Sequence, residues 1–108
     1  MSSVTVLSSG PQARNGTTSG SALDVSSYAR VRLLASGSVS GEHPGRPVVA
    51  IMGRPLVGPD RLLGALRLGE HQFFELGGIT SIYAQWSVYS DAPVLAPFTL
   101  GITGEAFS

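Results

Sequence analysis

Hydrophobic and polar residues alternate in steps of two over several short segments of this chain, most clearly from Ile79 to Asp91, ITSIYAQWSVYSD. Ile82, Ala84, Trp86 and Val88 fall on one side of this segment, with Ser81, Tyr83, Gln85, Ser87 and Tyr89 on the other, the pattern of a half-buried strand. Gly77 and Gly78 open it, and Asp91 with Pro93 closes it. It carries the single tryptophan, whose burial is among the largest apolar contributions open to a small core. The rest of the chain reads as organised around this strand.

Taken in order, residues 3–8, SVTVLS, alternate and are rich in β-branched side chains. They predict a first strand, or an arm that adds to a neighbour's sheet. Residues 1–9 are therefore set apart from a single domain over residues 10–108. GPQARNGTTSG reads as turn chemistry throughout, with Asn15-Gly16 as a hairpin or tight-turn dipeptide. Ser21 to Val25 predicts a short strand. Tyr28 to Val39 predicts a longer one, with Val31, Leu33, Ala35 and Val39 on its core face and Arg30, Arg32, Ser36 and Ser38 opposite. Val48 to Met52, VVAIM, is apolar without a break, as in strands buried on both faces.

Gly53 to Asp60 turns again, and RLLGALRL over residues 61–68 has both helical and strand spacings. Gly64 weakens so short a helix, so a strand is predicted there. HQFFEL predicts another strand, and Phe98 to Phe107 a last one through Phe98, Leu100 and Ile102. The sum is about eight short strands at roughly ten-residue spacing with Gly, Pro and Asn turns between them. That spacing predicts an all-β fold, a two-sheet antiparallel sandwich of jelly-roll-like form.

Composition changes this picture in one respect, the scarcity of charge. Of the 108 residues only 13% are charged, and seven basic residues cancel seven acidic ones. A neutral chain lacks the basic stripe that nucleic acid or an anionic membrane requires, so neither is expected as a partner. Little repulsion keeps copies apart, which favours assembly into a homo-oligomer. All seven basic residues are arginine, the better residue for bidentate interface pairs, although codon usage alone would give the same bias. With no cysteine, stability must come from packing. The N-terminus has neither the charged region nor the apolar run of a signal peptide, and no segment reaches the length of a membrane span.

Candidate chemistry is sparse. His43 and His71 have no second ligand at zinc spacing. A triad of serine, His71 and Asp24 or Asp91 would lack the G-x-S-x-G elbow. The carboxylates are scattered singly, and the glycines form no nucleotide-binding turn. No enzyme and no cofactor is therefore expected. Asn15-Gly16-Thr17 matches a glycosylation sequon, but the turn reading takes precedence without a signal peptide. What remains is a binding surface. Tyr83, Gln85 and Tyr89 on the polar side of the central strand, with Arg30 and Arg32 on an equivalent face, have the make-up of interface anchors. Tyrosine also has high strand propensity, so a plain surface strand explains Tyr83 and Tyr89 as well.

The order of these segments resembles the small β-sandwich structural proteins of tailed bacteriophage virions. The resemblance rests on DVSSYARVRLLASGSVSG, VVAIM, GEHQFFELGGITSIYAQWSV and the closing PFTLGITGEAF, and covers the chain from about Asn15 onward. GRPLVGPDRLLGALRL departs from the pattern, being more apolar than the usual middle hairpin. The resemblance implies a non-enzymatic virion component assembled in the host cytoplasm. Its foremost form is a capsid decoration, or cement, protein that clamps major capsid protein subunits, often as a trimer; a tail or head-fibre component is the alternative. The N-terminal arm, through Val4, Val6 and Leu7, would then bind by strand addition. A carbohydrate- or receptor-binding module is a further reading, in which the tyrosines and Trp86 stack on sugar rings. Burial of Trp86 would take its best residue away.

Overall fold

A computed structural model of the protein describes residues 2–11, 15–39, 48–87 and 98–108. The chain runs through β1 (Ser2–Pro11), β2 (Asn15–Thr17), a single 3-10 turn (Ser19–Ser21), β3 (Leu23–Asp24), β4 (Arg30–Val39), β5 (Val48–Pro55), β6 (Arg61–Arg67), β7 (His71–Glu75), β8 (Ile79–Ser87) and β9 (Phe98–Phe107). Sheet A has the order β1-β9-β4-β7, and sheet B has the order β2-β8-β5-β6 with β3 also on β8. Every pairing is antiparallel.

β2 and β3 are one strand interrupted. Between them Thr18 still holds β8, donating its N–H to the Ala84 carbonyl and accepting the Ala84 N–H through Oγ1, both at 2.9 Å. With that pair counted once, the two sheets read 1-8-3-6 and 2-7-4-5, the connectivity of a jelly roll. The all-β sandwich expected from strand spacing is the fold observed, and residues 61–67 are strand.

The core lies between the sheets. Val31, Leu33, Ala35, Leu100, Ile102 and Ala106 of sheet A meet Val49, Ile51, Leu66, Ile82, Ala84 and Trp86 of sheet B, all buried. Gly64 explains why the ambiguous segment is a strand. It pairs with Ile51 in β6, and a side chain there would come within 2.7 Å of Phe74 from the other sheet. The missing Cβ that weakens a helix is what lets the sheets close at this point.

Four expectations need correction. The Asn15-Gly16 dipeptide is not a turn but part of β2, paired with Ser87 and Trp86. Its glycine is required by the indole, which lies over it: a Cβ would come within 2.6 Å of the Trp86 ring. Gly16→Ala is therefore expected to displace the indole and cost about 1–3 kcal/mol. A red shift of the single tryptophan's fluorescence would report it, and an unchanged spectrum and melting curve would refute it.

Second, Val48–Met52 is not buried on both faces. Val49 and Ile51 are in the core, whereas Val48 is 42% exposed and Ala50 and Met52 are half-buried. Although β5 is an interior strand, nothing in the described chain layers over that side of sheet B.

Third, of the two readings of the N-terminal segment, a first strand or an arm for a neighbour's sheet, the structure has the strand, over Ser2–Pro11. β1 pairs with β9 from Ser2↔Ala106 to Pro11↔Thr99. A bulge sets Val6 and Leu7 against the single Ile102 position, turning both side chains toward the core. Fourth, Tyr83 is not a surface residue, as described below. The expected positions Val88, Tyr89, Asp91, Pro93 and His43 lie outside the described residues.

Candidate functional site

Among the described residues six large hydrophobic side chains remain exposed: Leu34, Val48, Leu56, Val57, Leu62 and Phe73. They fall into two groups. Four belong to β5, β6 and the turn that joins them, and two to the outer face of sheet A.

On the sheet B side, strand register puts Val48, Ala50 and Met52 of β5 beside Arg67, Ala65 and Leu62 of β6 and beside Ser87, Gln85 and Tyr83 of β8. Tyr83, expected to be an exposed anchor, is 5% exposed. It is covered not by another sheet but by its neighbours. The Arg54 guanidinium stacks 4.8 Å above its ring, and its hydroxyl donates to the Asp60 carboxylate at 2.7 Å. Arg54 also donates to Asp60 at 3.4 Å and to the Ser19 carbonyl at 3.0 Å. This network fixes the base of the β5–β6 turn, at whose tip Leu56 and Val57 are 83% and 86% exposed. Gln85 is exposed on the same side, as its alternation predicts.

The Asp60 carboxylate, accepting the hydroxyl proton, raises the Tyr83 pKa, with burial and the Asp60 charge adding to it and Arg54 opposing. A tyrosine whose folded pKa is raised contributes stability that is whole below its ordinary value of about 10 and is lost as pH rises through the folded value. Tyr83→Phe should cost about 1 kcal/mol at neutral pH, because exposed Asp60 keeps Arg54 and water as partners. The difference from wild type should shrink above the folded pKa. Urea titrations at neutral and strongly alkaline pH check both, and a constant difference would contradict the bond.

On the sheet A side, Arg30 and Arg32 of β4 are brought together with residues that the sequence reading missed. Arg30 lies 5.0 Å from the Phe73 ring centre and 5.7 Å from that of Phe107, and the two rings are 5.9 Å apart. Arg32 approaches Glu105 on β9 at 3.9 Å, with the two side chains 43% and 34% exposed. Phe73 itself is 48% exposed. Beside them a hollow of about 450 Å³ opens across the outer face of sheet A, lined by Ser3, Thr5, Thr103, Arg32, Leu34 and His71 among others. His71 therefore stands on an open sheet face, and among the described residues no three His, Asp or Glu side chains gather as a metal site would require.

The signal for Phe73 was present in the Phe73-Phe74 doublet. Successive residues of a strand face opposite ways, so one of the two had to point outward. Phe74 is the buried one.

The expected anchors thus do not form one site. Arg30 and Arg32 are on the outside of sheet A, Tyr83 and Gln85 on the outside of sheet B, and Val4, Val6 and Leu7 pack on the core from β1. β1 is an edge strand, and its ten residues carry no charged side chain. Strand addition would use that open edge rather than a donated arm. Comparison with protein-family models, with curated proteins and with solved structures finds no match.

Proposed function

We propose that this protein is a non-enzymatic structural component of a tailed-phage virion, a capsid decoration protein that seats on major capsid protein subunits as a homo-oligomer. The observation that carries the reading is the apolar β5–β6 side. Leu56, Val57 and Leu62 are left in water on a chain of zero net charge, around a turn that Arg54, Asp60 and Tyr83 hold in place. Exposed apolar groups clustered on a stiff support suit a contact surface between proteins.

Jelly rolls serve viral capsid and lectin domains alike, so the fold leaves the glycan-binding reading standing by analogy alone. Trp86, its strongest residue, is 7% exposed and lies in the core.

The test is co-sedimentation with candidate capsid shells. The wild-type protein should pellet with them, and a Leu56→Asp, Val57→Asp variant should stay in the supernatant with its melting temperature unchanged, since both positions are almost fully exposed. A wild-type protein that ignores the shells, or a variant that pellets as well as wild type, would overturn the proposal.

A further inference from the structure

We infer that the outer face of sheet A pairs with the same face of a second copy, around a two-fold axis that runs parallel to the strands, midway between β4 and β9. Strand register supplies the argument. Arg32 is directly opposite Glu105, Leu34 opposite Thr103, and Phe73 opposite Arg32, while Ser3 is opposite Glu105. These residues therefore lie at two levels along the strands, in the lateral order of the sheet. A two-fold axis in the plane between two such faces carries β4 over the partner's β9 and β7 over the partner's β1.

Charge and shape then agree. Arg32 comes to stand over Glu105 of the partner subunit, and Glu105 under the partner's Arg32. Both side chains are partly exposed, and the bond within the chain, at 3.9 Å, is loose, so each retains hydrogen-bonding capacity for a cross-subunit pair. The β7–β4 half of the face is high, built from Phe73, Arg32 and Leu34. The β1–β9 half is low where the small Ser3, Thr5 and Thr103 line the hollow of about 450 Å³, whose further walls are Arg32, Leu34 and His71 of the high half and Glu105. Under the two-fold axis the high half of each copy meets the low half of the other, and half-exposed Phe73 enters the hollow beside the partner's Ser3.

A face of four strands, three of them ten residues long, covers roughly 500 Å² at strand spacings of about 4.8 Å. That is below the ~800 Å² per partner of a standard interface, so the dimer is weak and reversible, with a Kd on the order of 10 µM. Capsid binding plays no part in the argument, and the two ideas use opposite sides of the sandwich.

Sedimentation velocity on the isolated protein tests it without capsids. Wild type should pass from monomer to dimer as its concentration rises through the ten-micromolar range. Arg32→Glu and Glu105→Arg should each weaken pairing at least about tenfold by setting like charges face to face. Their equimolar mixture should dimerise again, because each variant then meets its complement, an outcome that a bond within one chain cannot produce. Ser3→Trp, at an exposed edge position, should fill the hollow and abolish pairing with the charges intact. A wild-type protein that stays monomeric to about 300 µM, single reversals that pair like wild type, or a mixture that stays monomeric would each overturn the inference.

Discussion

Deleting residues 1–9 is expected to destabilise the protein by about 4 kcal/mol or more, not to leave a folded domain lacking an appendage. Val6 is 7% exposed, and Val4 and Leu7 pack on the core from the same strand. A fully buried Val or Leu contributes about 1.5–3 kcal/mol and a half-buried one about half as much. The deletion also uncovers β9, exposing the side of Ile102 that β1 shields and stripping the pairing from Ser2↔Ala106 to Leu7↔Ile102. Against a typical total of about 5–15 kcal/mol, most of the stability of a small domain would be gone. Urea unfolding followed by far-UV circular dichroism would show a midpoint shifted far down, or no transition at all. A truncated protein with the midpoint of the full chain would mean that β1 is dispensable, and would restore strand donation as its role.

Trp86→Ala should be comparably severe, at about 3–5 kcal/mol. The indole lies between Gly16 of β2 and Val49 of β5, its cross-strand neighbours, and faces the sheet A core. Alanine would leave a void that neither neighbour can fill. Gly16 has no side chain to move, and Val49 is fixed within the β5 ladder. Calorimetry should show a melting temperature lower by at least about 12 °C for a domain of this size. A shift of a degree or two would mean that the indole packs loosely or is replaced by water. The same experiment bears on the glycan-binding reading, since a tryptophan whose loss unfolds the protein is a structural residue and not a free stacking platform.

The two expected results share one physical origin. In a jelly roll, strands distant in sequence lie next to each other, so β1 at the start of the chain completes the sheet around β9 at its end. Removal of either end strand, or of the largest side chain between the sheets, damages contacts that no nearby stretch of chain can replace. The polar side chains of the two outer faces are less demanding. Arg32 and Glu105 are exposed enough for their exchange to cost little in stability, which makes them usable probes of association.

Alternation by itself determined much of this protein. It located the strands over residues 30–39, 79–87 and 98–107 and put Val31, Leu33, Ile82, Ala84 and Trp86 on the inner faces, because a period of two is a local property that burial only has to accept. It also put Arg30 and Arg32 outside. Only the tertiary structure decided what local pattern leaves open. SVTVLS has the same alternation whether it pairs with β9 of its own chain or with a neighbour's sheet, and the bulge at Val6 and Leu7 exists only in the presence of β9. Asn15-Gly16 has the residues of a tight turn, yet the indole across the ladder makes the glycine part of a strand. Tyr83 has the right parity for the surface, and it is covered by Arg54 and Asp60 from a neighbouring strand and turn that its own segment cannot specify. The separation of Arg30 and Arg32 from Gln85 onto opposite sides of the sandwich likewise follows from which strands share a sheet. Partner choice among strands is set by long-range packing, and in a fold whose sheets are built almost entirely from such pairings, that is where the surface of the protein is decided.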